Sequence, residues 1–493
     1  MENKIKLSLS IYGLISAISF IFLILIPDLG ISVPLFIILQ FISIYLITKN
    51  REEVVNKAAI FMMLPIFILS LNRFISGNYL WFPTNFLATI ILYSVMVLML
   101  SGNLTIKKLN IAHVFKIAAN IFMPFMNFII PLNWIALKNK NEAKNLLIKR
   151  IIIGVIVSIP CVIFLILMLS SADLIFYKNI SSFITSISNL FNFTYLFKLI
   201  VGTFVGLYLF GHLYNVFSKE KNNHLLKPFD EINKIQIKGD VVISNILLFS
   251  ILFVYTIFIA IQFKYLFAEG NLPYDLNYAE YARRGFFELV FLSVLNIALI
   301  LATTYLLKEK IYEAKNKWAS ITKLMMIYLC LLTGIMLISS FYRMMLYDNE
   351  YGFTRLRIIV YLFLIFEAIA LIATLIYIIK HNFNIFAIYV CVGLTYYLTL
   401  NVIQIDNIIA KRNIDMYFSG QTDTIDMNYL MSLSIDAAPE IMRLVSDDVH
   451  VDLVTKYNAK NYLDEIKSSY NLEKKDWRSY NLSVEKTLRL LNQ

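Results

Sequence analysis

Residues 277–307 read NYAEYARRGFFELVFLSVLNIALILATTYLL, and the fold class follows from the change of character within this stretch. Its first part places Glu280, Arg283, Arg284 and Glu288 among aromatic residues, and its second part is a long apolar run with Asn296 inside it. A hydrocarbon core about 30 Å thick needs about 20 helical residues, and the run is long enough to cross it. Its hydrophobicity is continuous and not alternating, and backbone groups in lipid must be satisfied internally, so it reads as a helix and not as a barrel strand. Arg284 and Glu288 stand four residues apart and share one helical face. Asn296 lies about two turns further in, so polar chemistry enters the membrane here.

The rest of the chain extends this reading. Of its 493 residues, 59% are hydrophobic and 16% are charged, against about 25% charge in average soluble domains, so most of the chain must be solvated by lipid. Sliding a 20-residue window gives about eleven candidate spans, roughly 8–27, 31–48, 56–72, 85–100, 151–170, 195–217, 241–262, 285–307, 324–346, 358–379 and 385–405. A formal charge of +11 would suggest nucleic acid on a soluble surface. Here the lysines gather in alternate loops, around Lys4 and Lys6, Lys107 and Lys108, Lys219 and Lys221, and Lys308 and Lys310. The positive-inside rule makes those loops cytoplasmic, so no nucleic-acid partner is expected. The N-terminus is then cytoplasmic, and an odd number of spans leaves the segment after Ile405 outside. The apolar run behind Lys4 and Lys6 ends at Pro27-Asp28 without a small-residue cleavage site, so it reads as the first span and not as a removable signal.

Three segments depart from regular spans. Within 101–150, residues 112–137 are apolar but interrupted by Asn120, Pro124, Asn127 and Pro131, which suits an interfacial helix or a re-entrant pair better than a crossing. The loop after the fifth span, SSADLIFYKNISSFITSISNLFNFTY, has Ile180, Phe183, Ile187, Leu190 and Phe191 at helical spacing. It predicts an amphipathic helix on the outer leaflet, with Asp173 near its start. The tail, 406–493, carries more acids than bases and reads as a small, mostly helical unit that leans on the membrane domain or a partner. Ala438-Pro439 should end its first helix, because a residue before proline is pushed out of the helical region. The division is therefore 1–405, a multi-span transmembrane domain, and 406–493, an extracytoplasmic helical unit.

Charged residues at bilayer depth cost on the order of 2.5–3.5 kcal/mol on insertion scales and are candidates for function. Glu288 and Glu367 are the clearest. Their competing role is an internal hydrogen bond or ion pair that fixes helix packing. In SFYRMMLYDNEYGFTRLR, Arg343, Arg355 and Arg357 crowd the turn between the ninth and tenth spans. With Arg283 and Arg284 they place five arginines at one membrane level, where guanidinium groups bind phosphate or carboxylate in a two-point fork. Pairing with nearby carboxylates of the same chain, or reaching to lipid phosphates, would explain them equally. No phosphate-binding loop, dinucleotide fingerprint, HExxH or CxxC is present, so no cofactor and no metal is implied. Cys161, Cys330 and Cys391 lie in apolar runs and behave as small hydrophobes.

Five pieces carry a family likeness: SSADLIF, YAEYARRGFFELVFLSVLN, FYRMMLYDNEYGFTRLRI, NIIAKRNIDMYFSG and MNYLMSLSIDAAPEIMRL. Together they resemble a bacterial family of multi-pass membrane proteins defined by a domain of unknown function of the 4153/4173 type, over most of residues 130–445. The resemblance implies a bacterial plasma-membrane protein with this order of elements and transfers no catalytic residue.

The expected fold is thus all-α, a polytopic helical membrane protein with about eleven transmembrane helices and a small helical extracytoplasmic C-terminal unit. The functional expectation is a non-enzymatic envelope protein that binds or transports an anionic, lipid-linked ligand in an outward-facing pocket under the tail. Asp173, Arg283, Arg284, Glu288, Arg343, Arg355, Arg357 and Glu367 would form that pocket. One alternative is a membrane enzyme similar to polyprenyl-phosphate-dependent glycosyltransferases, with Asp173 as base; those enzymes place the acid in the first outer loop, which here is the short PDLG around Asp28. Another is a sensor that docks a protein partner on the C-terminal unit.

Overall fold

The structure, a computed structural model, describes residues 3–49, 57–131, 193–217, 239–262, 286–312, 317–446, 451–470 and 476–492, with residue 134 and scattered positions between 151 and 182. Every regular element among the described residues is helical. The main helices are α1 (Asn3–Leu23), α2 (Ser32–Thr48), α3 (Met63–Ile75), α4 (Phe82–Leu100), α5 (Ile111–Phe122), α6 (Phe193–Phe217), α7 (Val241–Gln262) and α8 (Phe286–Leu306). They continue as α9 (Lys317–Tyr351), α10 (Arg355–Lys380), α11 (Ile385–Val402), α12 (Ile405–Phe418), α13 (Met427–Met431), α14 (Leu453–Ser469) and α15 (Leu482–Leu491).

Eight of these, α1, α4 and α6 to α11, are long and apolar enough to cross a membrane, which makes this a multi-pass membrane protein. Ser32–Thr48 and Ala59–Ile75 are shorter apolar helices, and the expected span 151–170 lies largely outside the described residues. At 35 residues, α9 is about 52 Å long and overhangs a hydrocarbon core of about 30 Å. Leu14, Ile18, Ile246, Phe291, Leu331 and Ile372 are exposed on the outer faces of these helices, as apolar side chains can be only where lipid replaces water.

The helix ends sort into two levels. At one, Asn384 Nδ2 donates to the carbonyls of Lys107 and Leu109, Lys310 Nζ to that of Gly239, and Tyr312 and Lys323 to those of Ile378 and Ile379. This level holds Lys107, Lys310 and Lys323. At the other, residues 26–31, 76–81 and 352–354 meet the chain from Ile405 onward. Gly30 marks the closeness of that meeting: a Cβ there would lie 2.3 Å from the carbonyl oxygen of Tyr480, and Ile31 donates its amide to the same oxygen at 2.9 Å.

Three hydrophobic clusters fill the interior. The first joins α1 to α4 with α6, the second α7 to α10, and the third the tail with Trp81, Phe353 and Ile358. Helix α11 is the seam, contributing Leu394, Tyr397 and Leu398 to the first cluster, Tyr389 to the second, and Tyr396 and Leu400 to the third. Small residues let α1 and α6 approach closely, Gly13 and Ala17 facing Gly206.

Residues 111–131 leave the lysine level and turn against α6. α5 starts beside the lysine level and is held by Asn120 Nδ2 on Ser94 Oγ at 3.0 Å and Tyr208 Oη on the Ile121 carbonyl at 3.1 Å. A short 3-10 turn, Met123–Asn127, brings Phe125 and Phe128 against Phe204. Trp134 lies under Lys6 at the start of α1. Irregular backbone at membrane depth must be buried in protein, and here α6 buries it. Asn127 Nδ2 donates to Asn215 Oδ1 at 2.7 Å, and Gly211 lies so close to Pro124 that a Cβ would stand 2.6 Å from its carbonyl oxygen. In the tail, the residues around Pro439 depart from expectation. α13, the helix before it, already ends at Met431, and Pro439 sits in the first turn of a new short helix, Ala438–Ile441, where its missing N–H leaves no bond unmade.

Replacing Gly211 by alanine should lower the unfolding midpoint in detergent by an amount equivalent to about 1–3 kcal/mol, because the backbone at Pro124 cannot retreat. Gly393→Ala, where a Cβ meets nothing within 4 Å, should be neutral or slightly stabilising. Equal effects at the two positions would mean that the re-entrant segment does not pack on α6.

Candidate functional site

The level where the tail meets the bundle is organised by two buried carboxylates. Asp406, in the first turn of α12, accepts from Arg355 Nε at 2.6 Å and Nη2 at 2.8 Å, from Asn78 Nδ2 at 3.0 Å and from the Ser434 amide at 2.9 Å. Asp436 accepts from the Gly77 amide at 2.7 Å and from the Ser76 hydroxyl. Burial pushes the Asp406 carboxyl upward, but hydrogen bonds from Arg355 and Ser434 outweigh it and hold the group below the usual carboxylate range. Beneath them Asn401, at the end of α11, takes Asn72 on its carbonyl at 2.9 Å and Asn85 on its side-chain oxygen at 2.6 Å. Arg73 is buried, donates to the Leu29 carbonyl at 3.2 Å, and lies 3.7 Å from the centroid of the Tyr79 ring.

The expected arginine set divides. Arg355 turns to Asp406 and joins the tail to α10. Arg357, one turn-face away, pairs with buried Asp348 at 3.2 Å, donates to the Gly352 carbonyl and covers the Tyr347 ring at 4.1 Å. Arg357 and Arg343 line one cleft of about 250 Å³ with Phe286, Phe287, Tyr347 and Leu356, between the start of α8, the end of α9 and the start of α10. Two guanidinium groups and no carboxylate line it among the described residues. Arg283 and Arg284 lie outside the described residues. Among the described residues no residue of the tail lines the cleft, and Arg355, which would have linked cleft and tail, points to Asp406 instead.

The acidic candidates also separate. Glu367 is buried in α10 and accepts the Ser293 hydroxyl at 2.6 Å, while its second oxygen has no hydrogen-bond partner among the described residues. Asn296 is buried nearby on α8, bridging Tyr255 at 2.9 Å and Thr333 at 3.1 Å. Glu288 was expected inside the bundle but is exposed, on the first turn of α8. Phe286 and Leu289 take the buried face, and a carboxylate in the first turn is favoured by the helix dipole. Asp173 is exposed, and its Oδ1 accepts the amides of Ile175 and Phe176 at 2.7 Å each. It starts the helix at 175–182 in the manner of an N-cap, the simplest reason for an aspartate there. Residues 183–192 of the expected amphipathic helix lie outside the described residues.

Reading along the chain missed Arg73, Asp406, Asp436 and Asn401. Each sits at a helix end or in a turn, where polar residues are ordinary. The signal available was their clustering at predicted ends on one side of the membrane.

Asp406→Asn should cost about 2 kcal/mol of stability, less than for a fully buried pair because Arg355 keeps some contact with water. A carboxyl held low contributes stability that is complete above its unfolded value of about 4 and is lost as pH falls through the folded value. The stability gap between wild type and Asp406→Asn in denaturant titrations should therefore be constant at neutral pH and close below about pH 4. A gap that persists into strong acid would contradict the assignment.

A family profile described as "Domain of unknown function (DUF4153)" matches residues 33–444, running without a break from α2 through Asp406 and Asp436. No curated protein and no solved structure matches the chain. The chain belongs to the DUF4153 family.

Proposed function

We propose that this protein is a non-enzymatic component of the bacterial plasma membrane that binds an anionic, lipid-type ligand in the cleft lined by Arg343 and Arg357. The carrying observation is the composition of that cleft, two guanidinium groups set among Phe286, Phe287 and Leu356, of which that of Arg357 also holds Asp348. An arginine fork recognises phosphate in two-point fashion, and the apolar wall suits the glycerol or acyl portion beside it. The cleft lies at the level of the tail and opposite the lysine-rich connections, which supports an outward-facing site with the N-terminus cytoplasmic and 406–493 extracytoplasmic. The enzymatic alternative gains nothing from Asp173, whose Oδ1 is engaged by two amides.

Full-length protein in nanodiscs should retain phosphatidylglycerol over phosphatidylcholine in native mass spectra. Arg343→Lys and Arg357→Lys keep the charge and lose the fork, so each should weaken that preference roughly tenfold. Unchanged preference in both variants would reduce the arginines to a general electrostatic belt. For orientation, Gln421→Cys should react with an impermeant thiol reagent in intact cells and Thr105→Cys only after lysis; the reverse pattern would invert the topology.

A further inference from the structure

Glu367 lies at the centre of α10, a helix of 26 residues, so about 18 Å of helix separates it from either end. Only 6% of its surface is exposed, and a charge at this depth is expensive unless the protein solvates it. Its surroundings come from four helices. Ser293 of α8 touches it, and one turn along α8 Asn296 joins Tyr255 of α7 to Thr333 of α9. Tyr389 of α11 is close enough to interact with both Glu367 and Cys330 of α9. The charge nearest to Glu367 along α10 is Arg357, about 15 Å up the axis, where it lines the cleft with Arg343 of α9. On α8 the nearest described charge is Glu288, exposed in the first turn.

Ser293 Oγ lies 2.6 Å from Glu367 Oε1 and 2.7 Å from the carbonyl oxygen of Val290. A serine hydroxyl has one hydrogen and two lone pairs, so it donates to one of these oxygens at a time. Pointed at Glu367, the hydrogen stabilises a carboxylate. Turned to Val290, it leaves a lone pair facing Oε1 at 2.6 Å, a separation two oxygens hold only with a hydrogen between them. That hydrogen then belongs to Glu367: the carboxylic acid donates to Ser293 Oγ, and Ser293 donates to Val290. The Val290 carbonyl can take the second bond because its helical bond uses one of two lone pairs. Rotation of one hydroxyl therefore fits the site to either protonation state, and the short contact between α8 and α10 is kept in both.

We propose that Glu367 and Ser293 form a proton-binding site at the centre of the membrane. Glu367 takes up one proton from solvent and returns it, and Ser293 reorients with each transfer. On uptake the Oε1–H bond forms, the carboxylate loses its charge, and the Ser293 hydrogen swings from Oε1 to the Val290 carbonyl without breaking a covalent bond. Ionisable side chains at bilayer depth are the elements from which proton relays are built. The site lies beneath the arginine cleft and does not depend on what that cleft binds.

The test is infrared difference spectroscopy on the full chain in a maltoside detergent, which has no ester carbonyl. The titration runs from about pH 5, where exposed carboxyls are already ionised, to about pH 10, beyond the range in which buried ones titrate. A carboxylic-acid carbonyl band should be present at the acid end, vanish as pH rises, and be missing throughout in Glu367→Gln. Ser293→Ala removes a hydrogen bond that is worth more to the charged form than to the neutral one, so the band should persist to a pH about one unit higher. Ser293→Thr keeps the hydroxyl and should restore the wild-type titration. A band that survives to the alkaline end marks a permanently neutral packing group, and no band at the acid end marks a permanent carboxylate. Either result overturns the proposal, as does a titration that Ser293→Ala leaves unmoved. Should Glu367→Gln fail to fold, carbodiimide labelling of the wild-type protein, read by peptide mass spectrometry, takes its place. Reaction at Glu367 that declines together with the band supports the site, and no reaction there overturns it.

Discussion

The Asp406 carboxylate is the point on which the upper half of the molecule depends. It collects four donors from three separate parts of the chain, Arg355 at the start of α10, Asn78 between α3 and α4, and Ser434 in the tail. A buried charge without partners is costly, and one saturated by a fork and two amide-type donors is not. Because those donors come from both membrane clusters and from the tail, the charge is satisfied only when all three are assembled. Asp436 repeats the arrangement on Ser76 and Gly77. The tail is thus tied to the bundle by polar bonds over a hydrophobic base of Ile358, Leu400, Ile405 and Leu430.

That tie also sorts the arginines of this level. Arg355 is held by Asp406 in the tail, whereas Arg343 and Arg357 line the cleft beside α8, the latter paired with Asp348. On the other side of the junction, Arg73 is covered by Tyr79 and donates to the Leu29 carbonyl, and Asp28 lines the neighbouring cavity.

Inside the membrane the same accounting governs the irregular parts. The re-entrant turn at Met123–Asn127 is tolerable because Asn127 finds Asn215 and because Gly211 lets α6 close over Pro124. Glu367 and Asn296 sit between α8, α9 and α10 with hydroxyl partners, the form in which polar groups are held between membrane helices. These bonds fix rotation of the helices about their axes, which apolar packing against lipid leaves nearly free.

The helical class, most of the spans and the irregularity around Pro124 and Asn127 were legible along the chain. Each rests on local hydropathy, on proline and asparagine, or on the transfer energy of charge, and none needs a distant partner. The depth of Glu367 was legible for the same reason. Which way a side chain turns at a helix end was not. Glu288 faces outward because Phe286 and Leu289 take the buried face, Asp173 begins a helix, and Arg355 leaves its neighbours for Asp406, 51 residues later. Those outcomes depend on rotation and on contacts between segments far apart in sequence. A helical period cannot choose among faces of similar hydrophobicity, so only the tertiary structure decided which polar groups meet.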